Sequence, residues 1–169
     1  MKKYVAMLMF LVFSMISTIC FATVPRSELA LGGVTLFCKF ADVQRIYGSP
    51  SRTSYYDEYI WGSTNRFYTQ FYGNGSFSVT ATDRDGVVFV KTTEDNGIGT
   101  PSGIKVGMLA ERLLMVYGPE DSSYMDNDGN KVMVYDERRT GVGERDNLAF
   151  ITREGKIIGI NLAAGILNI

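Results

Sequence analysis

Two stretches of the chain carry apolar residues at helical spacing. Phe40, Val43, Ile46 and Tyr47 recur at intervals of three, three and one, and Gly48 followed by Pro50 predicts where that helix stops. Leu109, Leu113, Val116 and Tyr117 repeat the stripe, closed by Gly118-Pro119. After the first helix the pattern changes to short runs rich in aromatic and β-branched residues. These predict strands over 55–61, 66–72, 77–83 and 87–92, separated by Gly62-Ser63, Gly73-Asn74-Gly75 and Asp85-Gly86, in an antiparallel meander. The second half predicts strands over 131–136, 147–152 and 156–162, with a short one at 122–125.

The order of these elements exposes a repeat. Gly33-Val34-Thr35-Leu36 through Tyr47-Gly48-Ser49-Pro50 returns seventy positions later as Gly103-Ile104-Lys105-Val106 through Tyr117-Gly118-Pro119-Glu120. The turn Asp85-Gly86-Val87-Val88 returns sixty-nine positions later as Glu154-Gly155-Lys156-Ile157. The expected fold is therefore α+β, with two tandem units over 29–95 and 100–169, each a short helix on an antiparallel meander. Asn96 to Pro101, with two glycines and a proline, reads as the junction.

Strand alternation assigns faces in the first meander. Tyr59, Trp61, Phe67, Phe71, Phe77, Val79, Ala81, Val88 and Val90 form the expected helix-facing core. The opposite face mixes Tyr56, Glu58, Ile60, Tyr68, Gln70, Tyr72, Ser78, Thr80, Thr82, Phe89 and Lys91. Tyrosines among short polar groups suit a protein-recognition surface, and Tyr56, Ile60, Tyr68, Gln70, Tyr72 and Phe89 are its candidate contact residues. Packing against the other half, or tyrosine's strand propensity, accounts for the same composition, and both readings stay open.

The N-terminus changes the compartment. Met1-Lys2-Lys3, the apolar run Tyr4 to Ile19 and the small-residue end Cys20-Phe21-Ala22 predict an export signal cleaved after Ala22. Its removal leaves 147 residues and takes two lysines from the 17 basic residues against 18 acidic ones, so the charge moves from −1 to about −3. No basic stripe is left for nucleic acid. Cys38 alone survives cleavage, so no internal disulfide forms and Cys38 reads as a small buried hydrophobe.

Histidine is absent, and with it the commonest general base and metal ligand. Asp57-Glu58, Asp83 with Asp85, and Glu144 with Asp146 fall where turns and strand edges want solvated charge, so no enzyme is expected. Asp126-Asn127-Asp128-Gly129-Asn130 resembles a calcium loop, but placing Gly129 at the sixth position puts Tyr124 and Tyr135 where carboxylates belong. A hairpin turn is expected there, and neither metal nor cofactor.

Each unit, with its glycine and Ile or Val, brief helix, Tyr-Gly near proline, aromatic strand and Asp/Glu-Gly hairpin, resembles the module of β-lactamase-inhibitor-protein-like (BLIP-like) proteins. It also resembles the small outer-membrane assembly lipoproteins that share that fold. The resemblance spans most of 29–162. In tandem inhibitors a concave sheet surface grips the partner, which implies here a surface containing Tyr56, Tyr68 and Tyr72. The expected function is an exported, non-catalytic protein-binding or inhibitory module; the alternative is a structural or assembly component of the bacterial cell envelope.

Overall fold

The computed structural model describes residues 24–60, 62–137 and 145–167. The expected export signal with Cys20 and Ala22, the expected core residue Trp61 and the side chain of Ile60 lie outside the described residues.

Two α-helices occur among the described residues, in a mixed fold dominated by one large antiparallel sheet. Helix α1 (Phe40–Tyr47) starts where the Asp42 carboxylate accepts the Lys39 backbone N–H at 3.2 Å, and ends at Gly48 with φ 76°. Helix α2 (Glu111–Tyr117) ends in the same way at Gly118, φ 81°. Val43 and Leu113 are fully buried and Tyr47 and Tyr117 half-buried, whereas Ile46, Leu109 and Val116 of the expected stripes are exposed. A two-turn helix resting on a sheet touches it along one narrow i, i+4 line, which leaves the flanking apolar positions in solvent.

Strands β1 (Ala30–Leu31) and β2 (Val34–Thr35) make a small hairpin. One meander then runs β3 (Arg52–Ile60), β4 (Ser63–Tyr72), β5 (Phe77–Thr82) and β6 (Gly86–Thr92). The other runs β7 (Ser122–Met125), β8 (Lys131–Asp136), β9 (Asn147–Arg153) and β10 (Lys156–Ala163). They are not separate sheets. The last strand of each pairs with the other, Val90 opposite Leu162, to give one sheet ordered β3-β4-β5-β6-β10-β9-β8-β7. This pairing satisfies backbone N–H and C=O groups that two separate meanders would leave bare at an edge.

One face of the sheet holds the main core. Phe77, Val79, Val90, Leu162, Ile160, Leu148, Phe150 and Tyr135 pack there against Val43, Leu113, Leu31, Val34, Ile104 and Val106. The register corrects part of the expected core. Tyr72 stands opposite Phe77, Gln70 opposite Val79 and Tyr68 opposite Ala81, so the even positions of β4 share the helix side with the odd positions of β5. The four-residue connection 73–76 produces this swap, and carrying one parity through the turn put Phe67 and Phe71 on the wrong face. Phe67 is buried on the opposite face with Val88 and Ala164, under Leu36, Ile166 and Leu167. Val88 reaches that face through a bulge, because Phe89 pairs with Thr80 and Val87 with Ala81, leaving Val88 unmatched between them. Phe71 is half-buried beneath the Arg52 guanidinium, 4.1 Å above its ring. Tyr59, expected inside, is 73% exposed.

Candidate surface on the outer hairpin

The nine residues of β3 extend about 30 Å at ~3.3 Å each, whereas the eight of α1 rise only about 12 Å. The hairpin outruns the helix that covers its base, and every described side chain of β3 is exposed. On its helix side Tyr55 faces Tyr68 across the ladder and Asp57 faces Arg66, with Tyr59 toward the tip. Arg66 donates from Nε and Nη2 to the two Asp57 carboxylate oxygens at 2.7 and 2.8 Å, and its guanidinium carbon lies 4.9 Å from the Tyr55 ring centre. The hydrogen bond from Arg66 holds the Asp57 carboxyl below the usual carboxylate range. Tyr68 donates its hydroxyl to Asp83 at 3.5 Å, at the rim of a cleft of about 250 Å³ lined also by Phe40, Thr53, Gln70 and Thr82.

The six residues expected to form one contact surface are divided by the sheet. Tyr56 lies on the face away from the helices, its ring stacked on Phe67 at 5.0 Å and 7°. Phe89 is half-buried on that same face, opposite Thr80 and Ala163. Tyr68 is half-buried on the helix side. Gln70 and Tyr72 are buried, 7% and 5% exposed, and Gln70 reaches solvent only through the wall of that cleft. The Tyr72 hydroxyl donates to Gln70 Oε1 at 2.7 Å, and its ring packs on Tyr47 and Phe77 at 5.5 and 5.9 Å. Burial, then the neighbouring Tyr47, pushes the Tyr72 phenol above its ordinary pKa. The side chain of Ile60, the sixth, is not described.

Sequence reasoning missed Tyr55 and Arg66 and misplaced Tyr59. The signal was present in the spacing between paired positions: Ile60 opposite Ser63 and Tyr72 opposite Phe77 each exchange odd and even positions between neighbouring strands.

A second exposed surface surrounds α2. Leu109, Leu114, Met115, Val116 and Met125 all present large apolar side chains to solvent, beside a groove of about 580 Å³ floored by Met133 and Thr152. Leu114 and Met115 lie off the expected stripe.

Comparison with known proteins places the chain beside little. No family model matches it, and no curated protein matches it. The crystal structure of the uncharacterized protein yfeY from Escherichia coli is similar, with a TM-score of 0.47 and 14% identity over 83% of this chain and 100% of that one.

The outer hairpin presents aromatic rings, an ion pair and hydroxyls. Among the described residues no group of three or more His, Cys, Asp or Glu could hold a metal ion. Cys38 is half-buried and desolvation pushes its thiol up, away from the thiolate a nucleophile needs. No described helix is long and apolar enough to cross a membrane.

Proposed function

We propose that this chain is an exported, non-catalytic module that binds or inhibits a protein partner through the helix-side surface of the β3–β4 hairpin. The observation that carries the proposal is the exposure of Tyr55 and Tyr59, 65% and 73%, beside Tyr68 and the Arg66–Asp57 pair. Tyrosine and arginine are the residues enriched in protein interfaces, since each offers a large apolar body with a polar end at small entropic cost. The Arg66 fork is already oriented by Asp57 and the Tyr55 ring, so docking loses little side-chain freedom.

The duplicated-unit reading supports the same proposal. Each half supplies a two-turn helix closed by Tyr-Gly, and each closing tyrosine packs on a tyrosine and a phenylalanine of the sheet: Tyr47 on Tyr72 and Phe77, Tyr117 on Tyr135 and Phe150. Before each helix a residue with positive φ, Phe37 or Gly107, sits at corresponding positions seventy apart and donates its N–H to the sheet. Two such units joined at β6 and β10 leave the long β3–β4 hairpin free at one end.

The test is affinity capture of the partner from the envelope fraction of the native cell by the mature chain. Tyr59→Ala with Tyr68→Ala should abolish capture while the thermal midpoint falls by at most about 4 °C. Undiminished capture by that variant would place the contact elsewhere.

A further inference from the structure

The sheet has two edges of very different character. β7 is four residues long, the short kind of edge that resists pairing, whereas β3 has nine residues and no strand on its outer side among the described residues. No lysine or proline interrupts Arg52–Ile60, and residues 52 to 59 are all exposed. Of its three charged side chains, Asp57 is neutralised by Arg66, which leaves Arg52 and Glu58, of opposite sign, near the two ends of the strand.

We propose that β3 pairs with β3 of a second copy of this chain, antiparallel about a two-fold axis, so that two eight-stranded sheets become continuous. In such a pairing residues directly opposite must lie on the same face of both sheets, so odd positions meet odd and even meet even. Among those registers, the one centred on Tyr55 sets Arg52 opposite Glu58, twice per dimer because of the symmetry. In the same register Ser54 meets Tyr56 and Thr53 meets Asp57, and the ladder stops where Pro50 and Ser51 begin. Moving the centre to Tyr56 places Arg52 against Ile60 and Glu58 against Ser54, and moving it to Asp57 sets that carboxylate against its own copy. Charge complementarity therefore selects both the occupant and the alignment. The inference does not rest on the partner proposed above: a chain that captures that partner as a monomer overturns this inference alone.

Sedimentation equilibrium of the mature chain tests it. The unaltered chain is expected at twice the chain mass at micromolar to submillimolar concentration. Arg52→Glu and Glu58→Arg, made singly, each create two like-charge contacts and should weaken association by about tenfold or more. Arg52→Glu combined with Glu58→Arg restores opposite charges and should restore the dimer. A monomeric unaltered chain, or single variants that associate as tightly as it does, would overturn the proposal. If a single variant loses its sheet signature by circular dichroism, a salt titration of the unaltered chain gives the same decision. Dissociation should strengthen with ionic strength, and a dimer indifferent to salt contradicts the register.

Discussion

Tyr72 shows how far one side chain's role depends on its neighbours. Its hydroxyl has a single short acceptor in Gln70, itself buried, and its ring closes a three-ring cluster with Tyr47 and Phe77. Truncation removes ring contacts and takes away the hydroxyl that donates to the buried Gln70 amide oxygen. Tyr72→Ala should therefore cost about 3 to 5 kcal/mol, as other buried aromatic truncations do, read from denaturant unfolding with an unchanged slope. Tyr59, with nearly three-quarters of its surface in water, should lose less than about 1 kcal/mol on truncation in the same measurement. The two residues differ little in chemistry and almost entirely in whether the helix layer reaches over them. Tyr117 carries a further tie: its hydroxyl contacts Glu28 and Thr100, drawing the N-terminal segment onto the second helix, and burial raises its pKa.

At the scale of elements, the helices are too short to hold their positions through packing alone, and a backbone clip fixes each one. Before α1, Phe37 donates its N–H to the Val87 carbonyl at 2.6 Å and Val87 donates back to Cys38 at 2.8 Å. Before α2, Gly107 and Ile157 repeat the exchange through Met108 at 2.8 and 2.9 Å. The first clip needs a glycine at the start of β6. Gly86 has φ 77°, and a Cβ there would lie 2.6 Å from the Cys38 carbonyl oxygen and 2.9 Å from that of Phe37. Both obstacles are backbone atoms of the clip itself. Gly86→Ala should destabilise the protein by about 2 kcal/mol or more, and amide hydrogen exchange should show α1 losing protection ahead of the central strands. Equal loss of protection across the whole chain would mean the clip does not act locally.

For the whole molecule, the pairing of β6 with β10 merges two meanders into one sheet and one apolar core that contains both Val43 and Leu113. Residues of both halves lie in mutual contact across that seam, so neither half can expose its inner face without exposing the other's. Calorimetry should therefore give one transition with equal calorimetric and van't Hoff enthalpies. Two resolved transitions would mean that the seam is weaker than either half. The same merger decides where free edges lie. It conceals the last strand of each half and leaves β3 and β7 outermost, which is why the long tyrosine-bearing hairpin is open to solvent.

The short-range features were legible in the chain as written. Both helices, their Tyr-Gly ends and the strands between Gly-rich turns follow from the spacing of apolar residues and from glycine's tolerance of positive φ, which act within a few residues. The Asp126 turn is another case: its carboxylate takes the backbone N–H groups of Asp128 and Asn130 at 2.9 and 2.8 Å, as the expected hairpin turn requires. The candidate surface was only half legible. Tyrosine-rich strands announced it, but which tyrosines reach solvent depended on register, and register depends on how many residues each turn spends between paired positions. Joining of the two meanders, the burial of Gln70 and Tyr72 and the exposure of Tyr55 and Tyr59 arise from contacts between segments far apart in the chain. Alternation along a single strand distinguishes two faces but cannot say which one the rest of the molecule will cover.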